Sequence, residues 1–192
     1  MKSRAEINVA LIHWPVLDRA KNVVCTNVTN FDIHDIARAS RVYGVERYYI
    51  VNRMKEQLMF VGRVLDHWRV GTGSKYNPKR KTALGMVKLS ETLADVLKSE
   101  EWTVPPFVVT TTAQPRPGLE PMTFRTLRER IETKPEQPIL LVFGTGFGLH
   151  DEVFTQCHAT LEPLKGASKD DYRHLSVRSA VSICLDRLLG AW

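Results

Sequence analysis

Residues 139–143, Ile-Leu-Leu-Val-Phe, are apolar at every position and run directly into Gly144-Thr145-Gly146-Phe147-Gly148. An unbroken apolar run of strand length is a strand buried on both faces, and such strands belong to parallel sheets covered by helices on either side. Further strands are expected at 7–13, 47–51, 86–89, 107–111 and 159–161. Between them lie stretches with apolar residues at helical spacing. A helix over 32–43, capped by Asn30 or Asp32, carries Ile33, Ile36, Ala37 and Ser40 on one face and stops at Gly44. A longer helix over 55–70 faces inward through Leu58, Val61, Leu65 and Trp68. Others are expected from Ser90 to about Glu100, from Thr123 to about Glu132, and over 176–189 with Val177, Ala180, Val181, Cys184 and Leu188 inward. The fold class is therefore α/β, a mostly parallel sheet with helices on both faces. The 192 residues suit one domain, 1–192, with no repeat or linker, and the Pro-rich stretch 114–121 reads as an internal loop.

Several function classes recede at this point. The longest apolar runs are strand-length, so none spans a membrane. The N-terminal run contains His13 and stops at Pro15, a poor signal peptide, so a cytoplasmic protein is expected. Cys25, Cys157 and Cys184 are too few and too scattered for a zinc site or a disulfide framework, and no metal is expected. The net charge of +6 is compatible with a polyanionic partner if the charge clusters.

Ligands of parallel sheets bind beyond the carboxyl ends of the strands. Three loops of unusual composition leave strands at that edge: 110–116, 144–149 and 162–166. The glycine spacing G-x-G-x-G is not the dinucleotide fingerprint, and no phosphate-binding P-loop motif occurs. On spacing alone, a ligand cradle and a generic tight turn stand equal.

The neighbouring segments resolve that choice. Leu-Val-Phe-Gly-Thr-Gly-Phe-Gly-Leu (141–149) is followed by Leu-Glu-Pro-Leu (161–164) and by His-Leu-Ser-Val-Arg-Ser-Ala (174–180) at a helix start. Upstream stand Val-Thr-Thr-Thr-Ala-Gln-Pro-Arg (109–116) and Asp-Ile-His-Asp-Ile-Ala-Arg-Ala-Ser-Arg-Val-Tyr-Gly-Val (32–45). In this order the set resembles the SPOUT, or trefoil-knot, RNA methyltransferases, especially their TrmH-like and TrmJ-like branch. The resemblance covers nearly the whole chain.

That resemblance implies a C-terminal deep trefoil knot, a homodimer with active sites shared between chains, and S-adenosylmethionine held in the knot. By match, the cofactor-binding residues are Thr111, Thr112 and Ala113, then Phe143, Gly144, Thr145, Gly146 and Gly148, then Leu161, Pro163 and Leu164, and finally His174, Leu175 and Ser176. Arg38 matches the arginine proposed to orient or help deprotonate the acceptor. Asp32 and His34 beside it have two readings, a base for a hydroxyl or ring nitrogen and a helix-terminus role, with capping the first reading for Asp32. Arg116 matches a loop arginine next to the cofactor, and Arg178 is placed either to contact a phosphate or to pair with Asp170 or Asp171. The chain departs from the family at chemistry-bearing positions. Asp32 and Ser176 stand where asparagine is usual, Arg178 replaces a small residue, and the glycine loop is one residue short and lacks a glutamate.

Lys75, Tyr76, Lys79, Arg80 and Lys81, in the expected loop 71–81, form the densest basic cluster. Cations beside an aromatic suit unpaired RNA bases, and a solvated surface loop is the competing reading. The expectation is an S-adenosylmethionine-dependent RNA methyltransferase acting on tRNA or rRNA, at a ribose 2′-hydroxyl or a base nitrogen. The alternative is a non-catalytic module that binds the cofactor and recognises RNA or protein through the same knot.

Overall fold

The computed structural model describes residues 4–114 and 120–191. It opens with β1 (Ile7–Ile12), a short hairpin of β2 (Val16–Leu17) and β3 (Val23–Val24), α1 (Asn30–Val42) and β4 (Arg47–Val51). Next come α2 (Lys55–Arg69), α3 (Thr72–Tyr76), α4 (Pro78–Gly85), β5 (Val87–Ser90) and α5 (Leu93–Leu97). The chain continues through β6 (Phe107–Thr110), α6 (Phe124–Thr133), β7 (Ile139–Gly144), α7 (Asp151–Phe154), β8 (Ala159–Thr160) and α8 (Val177–Leu189).

The main sheet has the order β5-β4-β1-β7-β6-β8, and every pairing in it is parallel. The chain winds outward from β1 to β4 and β5, then crosses to the other half. β1 and β7 are therefore neighbours across the switch in winding direction, where a crevice opens at the carboxyl edge. Period-two alternation divides the core into two faces. Ile7, Val9 and Leu11 of β1 and Ile139, Leu141 and Phe143 of β7 pack under α1, α2, α4, α6 and α8. Ala10 and Ile12 of β1 and Leu140 and Val142 of β7 pack with Leu93, Val96, Leu149 and Val153 on the opposite face.

Two helix starts position the site. α1 is capped by Thr29, not by Asn30 or Asp32: the Thr29 hydroxyl accepts the Asp32 N–H, and the Asp32 carboxylate accepts the Thr29 N–H, a reciprocal capping box. α8 is capped by Ser176, whose hydroxyl accepts the Ser179 N–H. α8 then packs along α1 and α6, and Tyr43 Oη donates to Asp186 Oδ1 at 2.9 Å near the far ends of α1 and α8.

Two further expectations need correction, and one element was missed. The segment 71–81 is not a loop but two short helices, because Asn77 accepts the Arg80 N–H and Pro78 occupies the first helical turn, where its missing N–H costs nothing. Thr92, not Ser90, caps the fifth helix, and that helix ends at Leu97 instead of continuing to Glu100. The hairpin of β2 and β3 escaped the sequence reading because two-residue strands carry no periodicity. No helix among the described residues is long and apolar enough to cross a membrane.

Candidate active site

A cavity of about 1110 Å³ opens at the carboxyl edge of the sheet, walled by segments far apart in sequence. Thr111, Thr112 and Ala113 reach it from the end of β6. Phe143, Gly144, Thr145, Gly146 and Gly148 reach it from the end of β7, Leu161 and Leu164 from beyond β8, and His174, Leu175 and Ser176 from the start of α8. The cofactor residues expected from sequence therefore share one space, apart from Pro163, which does not line it. Pro163 lies between two residues that do, Glu162 and Leu164.

The glycine loop is held open by backbone geometry. Gly146 has φ +60° and Gly148 φ +114°, conformations that side-chain-bearing residues rarely adopt. A Cβ on Gly146 would also lie 2.8 Å from the Leu17 carbonyl oxygen. The hairpin is laced to this loop, with Leu17 N–H donating to the Gly148 carbonyl at 2.9 Å and Phe147 N–H donating to the Leu17 carbonyl at 2.9 Å. These residues fit S-adenosylmethionine. Glycine and small side chains expose peptide groups to an adenine edge, while Phe143, Leu161 and Leu164 supply an apolar wall. Small-molecule pockets occupy about 300–1,000 Å³, so this cavity is just above the upper end of that range.

Of the residues expected to do chemistry, only Asp32 lines the cavity. Its carboxylate is fully engaged. Oδ2 accepts from Thr29 N at 3.0 Å and Thr29 Oγ1 at 2.7 Å, and Oδ1 lies 3.3 Å from Arg178 Nη1. Arg178 also approaches Asp35 at 3.7 Å and lies over the Phe31 ring. Its acidic partners are therefore Asp32 and Asp35, not Asp170 or Asp171; Asp171 pairs with Arg173 and Asp170 with Ser168. This bridge joins the starts of α1 and α8 at the cavity wall.

His34 and Arg38 lie on α1 but do not line the cavity. His34 packs edge-on against Trp68, and burial, aided by Arg80 and Arg38, lowers its pKa against the pull of Asp35. Arg38 is exposed one turn beyond His34. The basic cluster also stands apart from the cavity. α3 and α4 pack against α2, and α4 against α1; Arg80 lies over Trp68 at 4.6 Å, while Lys75, Tyr76, Lys79 and Lys81 are exposed. Arg116 lies outside the described residues.

The structure adds residues that sequence reasoning missed. His13, Leu17, Lys21, Thr26 and Asn27 line the cavity from the end of β1 and the hairpin, and Arg173 lines it from the segment before α8. His13 is buried, and burial pushes its imidazole down to about 4, against the support of Asp32. Cys184 also reaches the wall, and burial raises its thiol to about 12, far from a thiolate. A second hollow of about 520 Å³ lies around Met122, Phe154 and His158, but His158 Nδ1 is committed to the Val108 N–H at 3.0 Å.

Comparison with known proteins gives the family and the fold. The sequence profile of a family described as "SAM-dependent RNA methyltransferase" matches residues 6–190. A tRNA (guanine-N(1)-)-methyltransferase of Nitratidesulfovibrio vulgaris is 40% identical over 185 residues, covering 94% of this chain and 41% of that protein. The chain thus spans about two fifths of the length of that relative. An uncharacterized protein of Aquifex aeolicus is 37% identical over 184 residues, covering 95% of this chain and 87% of its own. Among solved structures, TrmJ from Z. mobilis ZM4 superposes with a TM-score of 0.61 at 14% identity, covering 98% of this chain and 69% of that one. The SpoU methyltransferase AviRb from Streptomyces viridochromogenes, in complex with AdoMet, superposes with a TM-score of 0.52 at 15% identity, covering 97% and 59%. At such identities these two likenesses establish the fold.

Proposed function

The chain belongs to the S-adenosylmethionine-dependent RNA methyltransferase family, and from that premise we propose that it methylates tRNA or rRNA at a ribose 2′-hydroxyl or a base nitrogen. The observation that carries the reading is the convergence of the ends of β6, β7 and β8 and the start of α8 on one cavity beside the start of α1. The relative's named activity, on guanine N1 of tRNA, belongs to a protein more than twice as long as the matched segment and is compatible with the base-nitrogen option.

S-adenosylmethionine supplies the methyl group when bound. The protein's task is then to hold, orient and exclude water. In our reading the peptide groups of Thr111–Ala113 and the glycine loop hold the adenosine, with Leu161, Leu164 and Leu175 as its apolar walls. Pro163 supports that wall from outside. Asp32, bound on both oxygens, acts by fixing Arg178 and the start of α1, a positioning role and not that of a free base. Arg38 orients the acceptor from the exposed side of α1, and His34 steadies that side through Trp68. Arg178 turns one guanidinium edge toward the incoming phosphate, and Arg116, by its match to the family's loop arginine, is assigned to the RNA as well. Lys75, Lys79 and Lys81 track the RNA backbone, with Tyr76 as a stacking platform and Arg80 braced on Trp68. A single trefoil-knotted domain, working as a cytoplasmic homodimer with each site completed by the partner chain, accommodates an Arg38 that stands outside its own cavity.

Labelled S-adenosylmethionine incubated with total RNA from a strain lacking the gene tests the reading. Label in the RNA is the expected result, and Arg38→Ala should abolish transfer while calorimetry shows unchanged cofactor affinity. Cofactor binding with no transfer to any RNA sinks the proposal.

A further inference from the structure

His13 follows β1 at the switch between the two halves of the sheet, lines the cavity together with Asp32, and is 1% exposed. Its ring is hydrogen-bonded at one nitrogen and, among the described residues, unpartnered at the other. Nδ1 lies 2.9 Å from Thr26 Oγ1, whereas Nε2 is buried with no hydrogen-bond partner among the described residues. The ring proton is assigned in the direction that gives the Ile12 carbonyl its donor, since the Thr26–Thr145 and His13–Thr26 contacts by themselves fit either direction. Thr145 Oγ1 lies 3.1 Å from the Ile12 carbonyl, which only accepts, so Thr145 donates its single hydrogen there. Thr26 Oγ1, 2.6 Å from Thr145 Oγ1, therefore donates to it. Having donated, Thr26 accepts from His13, and Nδ1 carries the proton. Nε2 is left as a bare lone pair.

This arrangement is braced. The Thr26 N–H donates to the His13 carbonyl at 2.9 Å, and Asn52 Nδ2 donates to the Thr26 carbonyl at 3.1 Å. Burial keeps the ring neutral near neutral pH, so Nε2 gains no second proton; Asp32 is the charged group that acts on it, and Arg178 stands behind Asp32. A buried acceptor without a donor destabilises a fold, so its retention beside a ligand cavity points to a ligand that brings the donor.

We infer that His13 Nε2 is a specificity-determining contact that accepts a hydrogen bond from the methyl-accepting group of the RNA. The acceptor is then an N–H or an O–H, such as a ribose hydroxyl or a protonated ring nitrogen, and not a ring nitrogen with a bare lone pair. The inference rests on the RNA methyltransferase reading and narrows it.

His13→Asn is the informative variant, since its amide NH₂ replaces Nδ1–H toward Thr26 and removes the acceptor at Nε2. We expect kcat/KM for total RNA from the deletion strain to fall about tenfold or more, with calorimetric affinity for S-adenosylmethionine unchanged. His13→Gln, which returns an acceptor oxygen near the Nε2 position, should recover part of the loss. Thr26→Val, which frees the ring to change tautomer, should lower kcat/KM in the same direction and stands in if His13→Asn does not fold. In the wild type, ¹⁵N NMR of the ring should show Nδ1 protonated and Nε2 bare. The opposite tautomer, or a folded His13→Asn with undiminished kcat/KM, overturns the inference while wild-type transfer upholds the reading beneath it. Weakened cofactor affinity with unaltered RNA kinetics also overturns it, by assigning Nε2 to the cofactor. A wild type that transfers nothing overturns both.

Discussion

His13 is the residue at which chemistry and stability meet. An unperturbed imidazole titrates near 6.5, and burial takes this one down to about 4. The unfolded chain therefore binds the proton first as the pH falls. Stability held above the unfolded value is lost progressively between about 6.5 and 4, and is lost in full below that window. The shift corresponds to roughly 3 kcal/mol at most, at about 1.4 kcal/mol per pH unit. Urea denaturation at pH 7 and pH 4.5 should show a falling midpoint in the wild type, and His13→Asn should remove part of that fall; an equal pH dependence in both would refute the assignment. None of this was legible along the chain. A histidine at a strand end is unremarkable until Thr26 and Thr145, 119 positions apart, are seen in one hydrogen-bonded line with it. Arg178 makes the same point, since its partner Asp32 is 146 positions away and the acidic residues near it in sequence are engaged elsewhere.

At the scale of elements, the glycine loop was legible because its constraint is local. A continuous apolar strand emptying into alternate glycines announces a close backbone approach whatever surrounds it. Gly146→Ala should cost about 1–2 kcal/mol for the left-handed backbone alone, with more from the approach of Cβ to the Leu17 carbonyl. Thermal melts should register that loss, and calorimetry a weakened affinity for S-adenosylmethionine, because the strand–hairpin lacing moves with the loop. A variant of wild-type stability and affinity would show that the loop tolerates a side chain. Caps were less legible. Thr26, Asn27, Thr29, Asn30 and Asp32 all offer capping chemistry within one short stretch, and only the reciprocal bonds between Thr29 and Asp32 select the start of α1. Lysines and breakers concealed α3 and α4 for a related reason. Their order comes from packing against α2 and from Arg69, whose guanidinium binds the Leu84 and Val87 carbonyls.

For the whole molecule, the charge of +6 is an affinity term only where it is gathered. α3 and α4 present Lys75, Lys79 and Lys81 from a surface continuous with α1, whose first turn reaches the cavity. Replacing these three lysines with alanine should weaken RNA binding and reduce the slope of log K against log salt by roughly 2, at about 0.7 per lost phosphate contact. Cofactor affinity should stay as it was; an unchanged salt slope would place the RNA on another face. The amino-acid order by itself determined the α/β class, the layered sheet, the glycine loop and the family, because periodicity and short motifs are local properties of a chain. Tertiary structure alone decided which side chains face one another at the cavity. Asp32 became a brace for Arg178, the expected basic loop became two packed helices, and His13 became a buried ring that stays neutral near pH 7. The physical reason is that burial, hydrogen-bond direction and ion pairing depend on distances between segments that the order of residues does not contain.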